Sequence, residues 1–256
     1  GLKVIDSKSV FARVSQKTNR VCHILGSGWS LLDSIPTISR DAFVIGMNFS
    51  ALAEVRCDIY FVEFGGYSIE SISKQQIRLF ETHIEGKDSI VLFKNLWEQK
   101  NDPDFIIEFW GDRVEYIRDF AVQCPTELLL ETAMNRLLFK DYVYLRQYRS
   151  TIITAIVFAY QAGFSQIVLH GIDFGGEYFF DLPEFSGDRS LRPPSNASRK
   201  LYGKKEHDSI HITSEGNLGV KGVLSLLGEK LKKNGVQLYS ASTKSPLTTF
   251  FPVFSK

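Results

Sequence analysis

Residues 150–174 constrain the fold of this chain more than any other stretch. Ser150 to Ala162 is an almost wholly apolar run of helical length. Gly163 follows, at the position where helices commonly end in a left-handed residue. Gln166 to His170 is a short apolar run that reads as a buried strand, and it leads into Gly171-Ile172-Asp173-Phe174. Before the helix, Tyr142-Val143-Tyr144-Leu145 offers a second strand. Strand, helix and strand in that order make a crossover, and crossovers join parallel strands.

The rest of the chain repeats the alternation. Strands are expected at Val21–Leu25, Ala42–Met47, Asp58–Glu63, Ser89–Phe93 and Val236–Tyr239. Helices are expected at Trp29–Ile35, where Pro36 stops the run, and over 68–85, 126–139 and 217–233. The last carries Val220, Val223, Leu224, Leu227 and Leu231 on one face and ends at Lys232-Lys233-Asn234-Gly235. The fold class is therefore α/β, a Rossmann-like, mostly parallel sheet with helices on both faces. The whole chain, 1–256, is read as one domain. Residues 97–125 mix aromatics with charges and are read as a small capping region. Residues 181–209, broken by Pro183, Gly187, Pro193, Pro194 and Gly203, are read as a lid loop.

Composition removes several function classes. Thirty Lys and Arg balance 29 Asp and Glu, a net charge of +1, so the basic excess of a duplex nucleic-acid binder is missing. Cys22, Cys57 and Cys124 are far apart and form no Cys-x-x-Cys pair. Neither a disulfide framework nor a zinc site is expected, and the compartment expected is the cytoplasm. No apolar run reaches the roughly 18 residues of a membrane helix. Gly1-Leu2-Lys3 shows neither a methionine nor a signal-peptide pattern, which leaves a terminal anchor open. A homo-oligomer and peripheral association with a membrane surface are also left open.

In open parallel sheets, ligands bind beyond the carboxyl ends of the strands. That rule selects the strand exits. At the first, Gly26-Ser27-Gly28-Trp29-Ser30 lets backbone approach a ligand, or is simply a tight turn with an N-cap. The third glycine of a dinucleotide fingerprint is missing, since Leu31 occupies its position, and no Gly-Lys-Ser/Thr follows to make a phosphate-binding P-loop. Asn48 at the next exit suits a ribose or phosphate, or a turn. Arg149-Ser150-Thr151 opens the apolar helix, where a hydroxyl either caps the helix or contacts a ligand. Gly171-Ile172-Asp173-Phe174-Gly175-Gly176-Glu177-Tyr178 is the strongest local signal. An acid directly after an apolar strand needs a partner, and Tyr178 adds a phenol beside it. His23 and His170 lie within strands and read as core residues; His211, between the lid and the last helix, is the candidate base, with His207 its rival. No Asp-x-Asp appears, so no metal site is assigned, and no Gly-x-Ser-x-Gly elbow is present.

With these residues in view, a family likeness emerges. Ile24-Leu25-Gly26-Ser27-Gly28-Trp29-Ser30-Leu31 resembles the amino-terminal Gly-Asn-Gly-Pro-Ser-Leu motif of bacterial sialyltransferases of the Campylobacter and Haemophilus lipooligosaccharide type. Ala162-Gly163-Phe164 through Gly171-Ile172-Asp173-Phe174 is similar to that family's Gly-Ile-Asp-Phe segment. Ile210-His211, followed by the lysine-bearing 217–221, resembles its histidine and succeeding helix. The resemblance implies an inverting, metal-independent glycosyltransferase without a cofactor. It implies a CMP-activated acidic sugar as donor (sialic acid, Kdo or a related nonulosonic acid) and a bacterial glycan or glycolipid as acceptor. The inner face of the cytoplasmic membrane would be its place of work. His211 would be the general base. Asn48, Thr151 and Asp173 would contact the donor, and Tyr178 would steady the leaving phosphate. Two departures stand out: Ser27 replaces the family's Asn, and Gly175 replaces its first phosphate-binding Tyr. Residues 63–145 match poorly. The MptE-like pyrophosphokinases, which use magnesium and ATP, share a similar Gly-x-Gly-x-Ser-Leu start and are the rival enzyme class. A non-catalytic nucleotide-binding module of glycan assembly is the third reading.

Overall fold

A computed structural model describes residues 3–5, 14, 21–63, 77–84, 90–94, 115–117, 119–121, 127–137, 145–147, 150–192 and 219–255. Among the described residues ten strands are formed: β1 Lys3–Ile5, β2 Val21–Leu25, β3 Phe43–Met47, β4 Ile59–Glu63, β5 Ile90–Lys94, β6 Glu115–Ile117, β7 Asp119–Ala121, β8 Leu145–Gln147, β9 Gln166–His170 and β10 Gln237–Ser240. The helices are α1 Leu31–Ser34, α2 Glu127–Leu137, α3 Thr151–Gln161 and α4 Val220–Lys233, with a further helical stretch at 77–83. Eight strands make one sheet in the order β1-β6-β5-β4-β3-β2-β9-β10, and β7 and β8 pair separately. Every strand pair is parallel.

The sheet is covered on both faces, and strand periodicity shows it. Cys22, Ile24, Phe43, Ile45, Met47, Ile59 and Phe61 point to one face, where they pack with α3 and α4. Leu25, Val44, Tyr60 and Val62 point to the other, against Leu31, Leu79, Phe80 and Phe179. Successive side chains of a strand alternate, so a strand covered on both faces reads as one unbroken apolar run. Nine residues of α3, from Thr151 to Ala159, are buried, which explains its apolar composition.

The crossover helices run against the strands. Phe164, just past α3, packs its ring 4.7 Å from Phe43 at the start of β3. The C-terminal end of α3 therefore lies at the strand-start edge. Eleven helical residues and five strand residues each span about 16 Å. The first turn of α3 thus returns to the edge where the strands end. Gly163, with φ +91°, makes the left-handed exit expected of it. α4 behaves alike: Lys221 in its first turn stands 5.4 Å from the Phe174 ring, just beyond β9.

Three local expectations change. Residues 115–117, inside the stretch read as a capping region, are β6 of the main sheet. The segment near Leu145 forms β8, which pairs with β7 outside that sheet. The first part of the supposed lid is packed: Phe185 and Leu191 are buried with Phe179 and Phe180. Residues 193–209 lie outside the described residues.

His23 and His170 are core residues, joined side to side. Ser34 donates its hydroxyl proton to the Leu31 carbonyl at 3.0 Å and so accepts from His170 Nδ1, also at 3.0 Å. His170 Nε2 is then the acceptor, and His23 Nδ1 donates to it at 2.9 Å. His170, accepting at one ring nitrogen and donating at the other, is neutral in this chain of bonds. Burial, aided by the neighbouring His23, lowers the His170 pKa from 6.5 to about 3. Between those values the unfolded chain binds the proton that the folded protein refuses. Stability is therefore full above pH 6.5 and falls as pH drops toward 3. One such proton gives a slope of up to about 1.4 kcal/mol per pH unit. We expect His170→Leu to lower stability at neutral pH yet flatten this acid slope. Urea unfolding between pH 7.5 and 4.5 measures it; an unchanged slope would remove His170 as its source.

Candidate functional site

The strand order reverses at β2. From there β3, β4 and β5 follow on one side and β9 and β10 lie on the other. In open parallel sheets, ligands bind beyond the strand ends at such a reversal. Register brings three exits to one level. Leu25 lies opposite Gly46 of β3 and opposite His170 of β9. Gly26, Asn48 and Gly171 consequently leave the sheet close together.

The β2 and β9 exits are laced by backbone. Gly26 N–H donates to the His170 carbonyl and Gly28 N–H to the Gly171 carbonyl, both at 2.8 Å. Further on, Phe179 N–H donates to the Ser27 carbonyl at 3.1 Å, and Tyr178 bridges Gly28. This closeness dictates glycine. A β-carbon on Gly26 would stand 2.5 Å from the Gly171 carbonyl, and one on Gly28 would stand 2.8 Å from the same atom. Gly171 itself has φ +60°.

Asp173 holds the turn from within. Its Oδ2 accepts from the Ser30 N–H at 2.8 Å and its Oδ1 from the Ser30 hydroxyl at 2.7 Å. Burial raises its pKa, while the bonds from Ser30 and Ser245 pull the other way. The acid after β9 thus has its partner inside the protein, and its observed role is to position the start of α1. Ser245 extends the support by donating to the Ile172 carbonyl at 3.1 Å. The partnership of Ser30, Ser245 and Asp173 was missed from sequence. A serine at a helix start was the available signal, but its partner is 143 residues away.

The remaining residues stand along the same edge. Asn48 opens the turn after β3 with φ +47°, a conformation asparagine tolerates, and is half-buried. Tyr178 is half-buried, its ring stacked 5.0 Å from Phe180. Thr151 is buried at the head of α3. Ser150 occupies the N-cap position in extended conformation, yet its side chain caps nothing. Its Oγ is buried without a hydrogen-bond partner among the described residues, and so is Thr154 Oγ1 one turn later. A buried hydroxyl left unpaired costs about 1–3 kcal/mol. The site therefore holds polar groups that a bound molecule can satisfy.

Gly26, Ser27, Gly28, Gly171, Asp173 and Tyr178 are thus contiguous. Asn48, Ser150 and Thr151 share their edge. Arg149, His207 and His211 lie outside the described residues; Gly219, where the chain re-enters them, leads into α4 at this same edge. Among the described residues, no group of three or more His, Cys, Asp or Glu is placed to hold a metal ion. No helix there is long and apolar enough to cross a membrane.

No protein-family model matches the chain, and no curated protein sequence matches it. Solved structures do. The monofunctional alpha-2,3-sialyltransferase Cst-I from Campylobacter jejuni is 15% identical, with a TM-score of 0.53 over 93% of this chain and 81% of that one. CstII from Campylobacter jejuni, in complex with the substrate analogue CMP-3FNeuAc, is 15% identical with a TM-score of 0.53, over 91% and 85%. CST-II in complex with a trisaccharide acceptor and CMP is 16% identical with a TM-score of 0.52, over 91% and 85%. At these identities the likeness establishes a shared fold: an α/β protein built on a parallel sheet, as these bacterial sialyltransferases are.

Proposed function

We propose that the chain transfers an acidic sugar, sialic acid, Kdo or a related nonulosonic acid, from a CMP donor to a hydroxyl of a bacterial surface glycan or glycolipid. The observation that carries this reading is the gathering of Ser27, Asn48, Ser150 and Tyr178 along one sheet edge, where the strand order reverses. The structures similar to it support the choice of donor, since they contain CMP, a CMP-sugar analogue and a trisaccharide acceptor. The nucleotide lies along the edge where β2, β3 and β9 end. Gly26, Gly28 and Gly171 let the β2 and β9 loops close on each other and so fix that edge. Asn48, Arg149, Ser150 and Thr151 contact the donor. Asp173 acts through Ser30, by fixing the turn.

The reaction is one displacement. The acceptor hydroxyl gives its proton to the His211 imidazole, and its oxygen bonds to the anomeric carbon. The bond from that carbon to the CMP phosphate breaks, and its electron pair stays on the phosphate oxygen. Attack from the side opposite the leaving group inverts the centre. Tyr178 meets the charge that develops on the phosphate. No metal takes part in this scheme.

Three outcomes are expected. CMP or CDP raises the melting temperature more than UDP, GDP or ATP; at a hundredfold excess over Kd the gain is about 2.7 kcal/mol. A response to ATP alone would favour the pyrophosphokinases. Transfer persists in EDTA; complete loss restored by magnesium would overturn the metal-free scheme. His211→Ala removes about 10²–10⁴-fold of the rate and leaves CMP affinity intact, whereas His207→Ala changes neither rate nor affinity. Turnover and CMP titration of both variants, with melting curves as the check on folding, decide it. Reversed roles would move the base to His207, and two active variants would sink the general-base model.

A further inference from the structure

We infer that Phe180 is a positioning residue of the donor site: its ring holds the Tyr178 ring in place and ties it to the turn that carries Asn48. This rests on the nucleotide reading above and adds to it the group through which the Tyr178 phenol is aimed.

The backbone at Tyr178 is fixed. Tyr178 bridges Gly28, and the next residue, Phe179, donates its N–H to the Ser27 carbonyl at 3.1 Å. The Tyr178 carbonyl accepts from the Asp181 N–H at 3.0 Å, over the short 3₁₀ turn Phe179–Asp181. What the backbone leaves undecided is the rotation of the side chain. Phe180 restricts it. The Phe180 side chain is 1% exposed, and its ring lies 5.0 Å from the Tyr178 ring with the planes 26° from parallel. That is the offset-stacked range that aromatic pairs prefer. A swing of Tyr178 about its Cα–Cβ bond would give up the contact.

Phe180 is itself wedged. Phe179 meets it at 5.2 Å and 73°, and Phe49 at 6.2 Å and 60°. The chain leaving the turn is pinned as well: the Arg189 guanidinium donates to the Leu182 carbonyl at 2.7 Å, and Arg192 pairs with Asp181 at 3.2 Å. The contact with Phe49 carries the consequence for the site. β3 and β9 are not neighbours, since β2 lies between them. The half-buried Phe49 directly follows Asn48, in a turn held by two bonds. The Ser50 hydroxyl accepts from the Met47 N–H at 2.9 Å, and the Tyr60 hydroxyl accepts from the Ala51 N–H at 3.0 Å. Phe180 thus joins the β9 loop to the β3 turn and sets the spacing between Tyr178 and Asn48. Core packing needs only an apolar side chain of the right volume. A stacked ring also fixes orientation, and that difference can be measured.

The test is a double-mutant cycle on the release of CMP from CMP-sialic acid or CMP-Kdo, whichever the wild type turns over. Phe180→Leu keeps an apolar side chain and removes the flat face. We expect kcat to fall about tenfold, short of the ~10²-fold that a 1 Å misplacement can cost. In a Tyr178→Phe background the same change should cost less than about twofold, because the phenol it aims is gone. A merely structural loss, such as an unfolded fraction, appears in both backgrounds; equal losses therefore overturn the positioning role. An unchanged rate in Phe180→Leu overturns it too, and so does Tyr178→Phe at the wild-type rate. Should Phe180→Leu melt too early to assay, Phe49→Leu, at a half-buried position, takes its place: it loosens the wedge and should slow the wild type but not Tyr178→Phe, and equal losses overturn the proposal. NMR of the ligand-free protein separates this proposal from the nucleotide reading. The Tyr178 ring signals, assigned by their loss in Tyr178→Phe, should move in Phe49→Leu; signals that stay in place overturn the wedge whatever the ligand. If they move but the wild type releases CMP from neither donor, the nucleotide reading falls, and the role of Phe180 in that reaction falls with it.

Discussion

Two hydrogen bonds between strand exits, from Gly26 to His170 and from Gly28 to Gly171, set the geometry on which the rest of the site is built. They join backbone to backbone across two parallel strands, beyond the last pair of the sheet ladder. At that separation no side chain fits between, so glycine is required at 26 and 28 before any ligand is considered. The turn so formed fixes where α1 begins, and Asp173 fixes it again by binding Ser30. The partners lie 143 residues apart along the chain. The loop that brings them together is closed by the apolar crossover of α3 and the pairing of β2 with β9, whose burial offsets the lost chain entropy.

Polar groups inside the sheet fall into two sets. Most are fully partnered. The His23–His170–Ser34 chain ends on the Leu31 carbonyl, and Asp58 accepts from the Val44 N–H at 2.9 Å. These bonds tie neighbouring strands and α1 into one body. The other set has no partner among the described residues, and two of its members, Ser150 and Thr154, stand on one turn of α3 at the strand-exit edge. Unpaired buried hydroxyls are rare in native proteins, because each loses its bonds to water and regains none. Their position beside the exits, rather than in the middle of the core, is what gives them meaning for binding.

The sequence was most legible where burial is complete. β2, β9 and α3 are covered on both sides, so their apolar runs announce them. β1 and β6 are three residues each at one end of the sheet, too short to show a period. Phe185 and Leu191 sit among prolines and glycines that read as a loose lid, yet both are buried with Phe179 and Phe180. Turn chemistry predicts a break in regular structure; it says nothing about whether the broken segment packs. Asp173 shows the same limit for the site. Its position after an apolar strand was legible, but the partner that makes its burial tolerable is distant in sequence. A ligand and Ser30 were indistinguishable from the residue alone.

The glycine motif has a lesson of its own. Gly-x-Gly after a first strand is commonly read as a nucleotide signal, because phosphates need backbone without side chains. Here the same residues are explained by the β9 loop, whose carbonyl occupies the space a β-carbon would take. A motif can therefore persist for packing alone. Packing accounts for Gly26, Gly28 and Gly171, whose β-carbons would strike protein. Gly176 is set by its φ of +83° and by the Trp29 indole edge, which a β-carbon would approach to 3.1 Å. The case for a ligand therefore rests on the polar side chains at the strand exits and not on the glycines.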